Sequence, residues 1–509
     1  MSRYQYRPSR RSTLFVIIAG FVTVVGLLIL GPETAVAEMC QWTGAVNTDW
    51  NNAGNWSCAI VPGNVDTAII PNVSTSSGNN PVISTAQTIN TVTIQNGGIL
   101  TYQAGTGVTV TFTNFNIEDG GKYIHDRTAS TPLNTSIGRV FSDNSIVEIK
   151  NYNAPSSSLP SFGNLIINSS GTIQMSGYLQ SVNGDLTKQG RGEFRLATTQ
   201  AVGLTVSGNL HLLEGTITIQ SGVATNNTNI VVGNDATIAS GTTLRSGSSA
   251  SGIHFLSVGG NWTNDGTFTL NTNANTGVIF NGSSQQLVGG SSATEFRNLI
   301  INNGANVVLP TNTTVVGNLT NNGRLQQTRD VNGSGDVTFL DIGGYGGVTL
   351  NANSSDLGQT TVIIRGNQPC DNDNSSVRRC FDIDPANKTG RNATVSFVWD
   401  STELGSQICS TMDAYHWNGA SWGTPLTLDT GYGTNGRICT DPGLQSLRVT
   451  GVTTFSPFAM SSDGSGPTAV SLQSFTAHNQ TPILLILAAL LMLGLVGATA
   501  VFRHKTNSR

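Results

Sequence analysis

Oxygen-bearing side chains recur through one short stretch, Asp330-Val-Asn332-Gly-Ser334-Gly335-Asp336-Val-Thr338-Phe-Leu-Asp341. Counted from Asp330 they fall at positions 1, 3, 5, 7, 9 and 12, with glycine at position 6. A calcium loop needs this pattern, because a hard cation collects six to eight oxygens and the chain must turn sharply at the middle. Asp330, Asn332, Ser334, Asp336 and Asp341 are therefore the candidate metal ligands, and calcium is the ion they would take. Two features run against it. Ser334 brings no charge, and Ile342-Gly-Gly-Tyr-Gly-Gly347 cannot continue as a helix. An Asn/Gly-rich β-turn explains the same residues.

Other constellations fail on context. Gly419-Ala-Ser421-Trp-Gly423 has the spacing of a nucleophile elbow, but Gly-Thr-Pro follows where a helix should begin. Gly431-Tyr-Gly433-Thr-Asn-Gly436 has the spacing of a dinucleotide loop and leads into Arg437-Ile-Cys-Thr-Asp-Pro442, which is no helix either. The acids between 160 and 330 are Asp185, Glu193, Glu214, Asp235, Asp265, Glu295 and Asp330, with no adjacent pair. His211 and His254 stand alone on strands and read as surface or hydrogen-bonded residues. Polysaccharide lyases and hydrolases need several such groups converging on neighbouring coils. The expectation is a non-enzymatic protein, with no catalytic or cofactor-binding residues.

Composition sets the frame for these residues. Of 509 residues only 11% are charged, against roughly 25% in ordinary soluble domains. Glycine is abundant at 59 residues, and Asn, Thr and Ser fill most polar positions. Short β-branched strands separated by turn formers follow from that mixture. A net charge of -4 without basic clusters argues against nucleic acid as a partner.

Arg3, Arg7, Arg10 and Arg11 precede the uncharged run Leu14 to Leu30 and then Ala35-Val36-Ala37. This is the layout of a secretory signal at 1–37, cleaved after Ala37, with an uncleaved signal anchor as the alternative. Residues 483–502 carry no charge and, at about 1.5 Å per residue, would span roughly 30 Å of hydrocarbon as a helix. Arg503, Lys505 and Arg509 follow, which puts the tail 503–509 in the cytoplasm and the body outside. The small-residue segment 464–482 reads as a tether.

Cys40, Cys58, Cys370, Cys380, Cys409 and Cys439 all lie beyond the signal and fall into neighbouring pairs. Disulfides between neighbours suit an exported chain, and the absence of C-x-x-C spacing argues against zinc.

Trp42, Trp50 and Trp56 open the exterior in a segment, 38–159, that reads as a cap with first β-coils. A sugar platform is the alternative use of three tryptophans. Residues 160–359 repeat imperfectly. Phe162-Gly-Asn-Leu-Ile-Ile-Asn168 returns as Phe296-Arg-Asn-Leu-Ile-Ile-Asn302. A second phrase occurs as Gly184-Asp-Leu-Thr187, Gly208-Asn-Leu-His211, Gly260-Asn-Trp-Thr263 and Gly317-Asn-Leu-Thr320. Such strands bury their apolar rows only by stacking, with Asn and Thr laddering at the turns. The fold expected is an all-β, right-handed parallel β-helix. Segment 360–463 gains charge, cysteine and Trp399, Trp417 and Trp422, and reads as a small β-sandwich with a hairpin turning at Asn418-Gly419.

The Asp330 segment resembles the loops of EF-hands and dockerins, which implies calcium. Tether, apolar span and basic tail resemble bacterial surface-sorting signals, although no Leu-Pro-x-Thr-Gly element is present. On the Trp42 to Pro62 opening and the repeated F-x-N-L-I-I-N strand, the exterior resembles bacterial adhesin-like surface proteins with Gly/Asn/Thr-rich β-helical repeats. That resemblance implies a single-pass cell-surface protein, adhesive or structural in the envelope, with the membrane and surface glycans or proteins as partners. Carbohydrate binding or cleavage by the β-helix is the competing expectation.

Overall fold

The computed structural model describes residues 36–467, apart from 77, 104–107, 129–130, 134–137, 153–154, 199–200, 221–226, 248–251, 272–274, 372, 374, 456 and 465. The expected signal, the apolar span 483–502 and the basic tail lie outside the described residues. No helix among the described residues is long and apolar enough to cross a membrane. The chain forms two compact units, one of residues up to 328 with 340–345, the other of 329–339 and from 346 onward.

The first unit is a parallel β-solenoid, within a fold of about ten turns. From Asn164 onward its coils each lay down three short strands on three faces, whereas the coils before that point alternate between two sheets. One coil runs Leu186–Gln189, Glu193–Ala197 and Val202–Val206; the next runs Leu210–Leu212, Thr216–Gln220 and Thr228–Val232. Alternation sends every second side chain inward, and the parallel register stacks those side chains into columns. Leu165, Leu186, Leu210, Ala236 and Trp262 form one column, all buried. Phe194, Ile217, Leu244 and Phe268 form a second. Leu204, Ile230, Leu256, Val278, Leu299 and Leu319 form the third. No strand could bury its row alone, so the core exists only as a stack.

A ladder of Asn and Asp side chains ties the coils at one corner. Asn164 Oδ1 accepts the Asp185 backbone N–H at 2.9 Å, and Asp185 Oδ1 accepts that of Asn209 at 2.7 Å. Asn209 Oδ1 takes the Asp235 N–H at 3.1 Å, Asp235 Oδ1 that of Asn261 at 2.7 Å, and Asn261 Oδ1 that of Leu287 at 2.8 Å. A separate link joins Asn298 Oδ1 to the Asn318 N–H at 2.8 Å. This ladder accounts for the repeated Gly-Asn/Asp phrase. A Cβ on Gly184 would meet Asn164 Oδ1 at 2.3 Å, one on Gly208 would meet Asp185 Oδ1 at 2.3 Å, and one on Gly260 would meet Asp235 Oδ1 at 2.3 Å. Asn234 and Gln286 stand at the corresponding position of two further coils, with links of 3.1 and 2.8 Å.

Both repeated phrases change face. Asn164–Asn168 belongs to the long sheet that carries Leu186–Gln189, whereas Leu299–Ile301 belongs to the sheet that carries Val202–Val206. The phrase therefore encodes a corner with its following strand, whichever face that strand occupies.

Three tryptophans near the start of the described residues are buried together. Trp42, Trp50 and Trp56 are 1%, 0% and 3% exposed, with ring centroids 4.7 to 6.3 Å apart. Asn55 beneath them uses all four of its hydrogen-bonding positions. Its Oδ1 accepts from Val46 N and Asn47 N, and its Nδ2 donates to Asn47 Oδ1 and Asp49 O. The Cys40–Cys58 disulfide staples the same region.

The second unit is antiparallel. One sheet holds Asp336–Phe339, Val348–Asn351, Ala393–Asp400, Leu444–Val452 and Arg437–Ile438. The other pairs Ser355–Gly366, Arg379–Pro385, Phe458–Ser461 and Asp413–His416. Phe397 of the first sheet lies 5.1 Å from Phe381 and 5.3 Å from Phe458 of the second, so the two sheets share a core. Buried Arg379 joins them too, pairing with Glu403 at 2.6 Å and donating to Val398 O at 2.8 Å. Disulfides Cys370–Cys380 and Cys409–Cys439 complete the neighbour pairing read from the sequence. The unit takes in strands 336–351, ahead of the charge- and cysteine-rich segment that opens near 360. Those strands have the Thr, Val, Leu and Asn alternation of the solenoid, and alternation does not distinguish parallel from antiparallel pairing.

His254 departs from its expected role. It is neither surface nor hydrogen-bonded through its ring; at 1% exposure neither ring nitrogen has a partner among the described residues. Burial pushes its pKa down to about 4. The unfolded chain takes up a proton near pH 6.5, the folded chain only near 4, so stability falls as pH drops through that window.

Two measurements test these points. Gly208→Ala is expected to lower the melting temperature clearly, at about 1–3 kcal/mol of overpacking. Gly203→Ala, where a Cβ meets nothing within 4 Å, should change stability by about 0.5 kcal/mol at most; equal effects of the two would refute the ladder's claim on glycine. Between pH 7 and 4.5 the wild-type chain should lose up to about 3 kcal/mol through His254, and His254→Leu should lose less by that amount. Identical pH profiles in urea denaturation would count against it.

Candidate functional site

Asp185, Glu193, Asp235 and Asp265 of the solenoid acids are taken up by the fold, whereas Glu214 and Glu295 are exposed. Asp185 and Asp235 are rungs of the ladder. Asp265 accepts from the Ser291 N–H at 2.6 Å and its hydroxyl at 2.8 Å. Glu193 is the centre of a cross-coil cluster, because the register stacks Arg195, Thr218 and Arg245 on successive coils. Its carboxylate meets Arg195 at 2.7 Å, Arg245 at 3.1 Å and the Thr218 hydroxyl at 2.5 Å. Burial raises the Glu193 pKa, but the hydrogen bonds from Arg195, Thr218 and Arg245 outweigh it, and the net shift is downward. A general acid needs the opposite shift. Glu148 repeats the arrangement upstream with Lys122 at 2.7 Å and Asn168 at 2.8 Å. Glu295 lies exposed on the strand Glu295–Phe296.

Sequence reasoning missed Lys188. It occupies an inward position between Leu186 and the next corner, and its Nζ donates to the carbonyls of Gln189, Gly190 and Glu214. Burial pulls its pKa down to about 8, partly offset by the charge of Glu214. Its parity with Leu186 is the signal that could have revealed it.

The candidate calcium ligands are dispersed. Asp330 and Asn332 lie on the strand Arg324–Gly333, Ser334 follows in the turn, and Asp336 opens the strand Asp336–Phe339. Asn332 Nδ2 donates to Asp330 Oδ2 at 2.5 Å, while Asn351 Nδ2 donates to Asp336 Oδ1 at 2.8 Å and to the Ser334 carbonyl at 2.7 Å. Asp341 belongs to the other compact unit. Side-chain amides thus sit where a cation's charge would be needed. Among the described residues, three metal-ligating groups gather only at Glu38, Cys40 and Cys58, and those two thiols form a disulfide.

A concave site does exist in the antiparallel unit. The strand Asp413–His416 leads into a tight turn at Asn418-Gly419 and returns through Trp422, which bridges to Trp417. Asn418 builds the turn, its Oδ1 accepting from Ala420 N at 2.9 Å and Ser421 N at 2.8 Å, and Gly419 supplies a φ of 96°. That geometry presents the Trp417 ring beside a cavity of about 430 Å³ lined by Lys388, His416, Trp417, Asn418, Gly419, Thr453, Thr454 and Phe455. His416 Nδ1 lies 3.4 Å from the Thr454 hydroxyl, and its Nε2 has no hydrogen-bond partner among the described residues. Among the described residues the cavity lining offers an aromatic face, hydroxyls, an amide and the Lys388 ammonium.

Residues 41–159, the tryptophan cap and the coils that follow it, match a family described as a domain of unknown function (DUF8693). No curated protein and no solved structure matches the chain. The three disulfides, which leave no free cysteine, point to an extracellular or otherwise oxidising location. The chain is a β-solenoid protein that carries this domain at its N-terminal end.

Proposed function

We propose that the chain is an exported, non-enzymatic surface protein, adhesive or structural in a bacterial envelope. In this reading a right-handed β-solenoid serves as a stiff display scaffold, and the antiparallel unit is a β-sandwich carried with it. The apolar segment 483–502 holds the chain in the membrane, with Arg503, Lys505 and Arg509 on the cytoplasmic side. The observation that carries the proposal is where the polar side chains go. Asp185, Asn209, Asp235 and Asn261 bind the next coil, and Glu193 is neutralised by two arginines. A solenoid with such commitments gains rigidity and leaves few groups free for chemistry. Stacking at about 4.8 Å per coil would give about ten coils a length on the order of 50 Å. Disulfides at all six cysteines suit service outside a reducing cytoplasm.

Cell fractionation with surface labelling tests this. An amine-reactive reagent that cannot cross membranes should label the full-length chain on intact cells, and the chain should stay with membranes after alkaline carbonate washing. Leu490→Arg, which costs about 2.5–3.5 kcal/mol of insertion at mid-span, should move a large fraction into the soluble pool. A wild-type chain that is protected from label, or that washes off the membrane, would contradict the proposal.

A further inference from the structure

The tryptophans divide into two classes. Of the seven in the chain, Trp42, Trp50, Trp56, Trp262 and Trp399 are buried in the cores of their units. Trp417 and Trp422 are only half-buried, and both belong to one hairpin, their rings edge to face at 5.4 Å. Trp422 packs against the buried Cys370, Cys380 and Ala459 and so has a structural partner. Trp417 instead lines the cavity with Phe455. Leaving an indole face open to water forgoes hydrophobic stabilisation, and here the sequence keeps it open next to polar groups at fixed positions.

We infer that the cavity bounded by Trp417, Phe455, Asn418, Thr454 and Lys388 binds a pyranose ring of a surface glycan. The cavity's volume of about 430 Å³ lies within the range of small-ligand sites and suits one or two sugar rings. The C–H face of a pyranose is apolar and stacks on indole, while its hydroxyls need donors and acceptors around the edge. Thr453, Thr454, Asn418 and Lys388 supply those groups on the lining. Lys388 is paired with Asp384, but both side chains are more than half exposed, so the pair is weak and the ammonium can turn to a ligand hydroxyl. A purely apolar ligand would leave these polar groups unpaired. The inference deepens the surface-protein reading by naming a ligand class, and it rests on that reading only for its biological setting.

The test uses the purified full-length chain in detergent, so that its outcome is independent of where the chain resides. Isothermal titration with a panel of oligosaccharides of glucose, N-acetylglucosamine, mannose, xylose and galacturonic acid reads the affinity. At least one member should bind with a dissociation constant below about 1 mM and shift the tryptophan emission. Trp417→Ala should weaken that binding at least about tenfold, Trp417→Phe less, with the melting temperature of each unchanged. Lys388→Ala, at an exposed position, should weaken it about threefold and serves if the tryptophan variants fail to fold. Wild-type affinity in both Trp417→Ala and Lys388→Ala, or no binding of any saccharide by the wild type, would overturn the inference.

Discussion

Every corner of a parallel coil leaves a backbone N–H that the strand ladders do not satisfy, and a buried donor without an acceptor costs about 1–3 kcal/mol. This chain meets that constraint with the side chain of the preceding coil. Asn164, Asp185, Asn209, Asp235 and Asn261 each accept the N–H one coil onward. The solution dictates its own neighbours. An acceptor oxygen placed at the corner leaves no room for a Cβ above it, hence Gly184, Gly208 and Gly260. Apolar columns then align because the corners are in register, and the ladder therefore sets both the repeat and the core. It ends at Leu287, whose side chain has no oxygen to pass the contact on.

Much of this was legible as pattern and little of it as cause. Gly184-Asp185, Gly208-Asn209 and Gly260-Asn261 stand out in the sequence, and neighbouring cysteines indicate their own pairing. The tryptophan-rich opening reads as a cap, and the rings are buried as a cap requires. What the pattern could not convey was face. Phe162 to Asn168 and Phe296 to Asn302 are nearly the same phrase on different sheets, because coil length decides which corner a phrase occupies. Lys188 and His254 were hidden for a related reason. Strand parity makes both inward, yet a polar residue on a short strand is ordinarily assigned to the solvent side. The Asp330 segment shows one pattern with two readings. Alternate oxygen-bearing residues are what a calcium loop needs and also what an alternating polar strand face contains.

The two units use their polar side chains differently. In the solenoid the acids, amides and even a buried lysine serve contacts between coils, and the arginines beside Glu193 are part of the same economy. In the antiparallel unit, Arg379 and Glu403 hold the two sheets, while the Asn418 turn carries an indole out to a cavity. Loops on a rigid frame are where binding residues most often sit, and the binding proposal places its site on such a hairpin. The candidate ligand groups were individually visible in the sequence, but Lys388, Trp417 and Thr454 meet only through the antiparallel pairing of distant strands.

The most direct test of the ladder is amide hydrogen exchange on the wild-type chain and on Asp235→Ala. The Asn261 amide, which donates to Asp235 Oδ1, should exchange about tenfold faster or more in the variant, consistent with losing one hydrogen bond of about 1–3 kcal/mol. The Asp185 and Asn209 amides, held by other rungs, should remain protected. Unchanged protection at Asn261, or uniform loss along the whole ladder, would contradict the account of coils tied one to the next by their corner side chains.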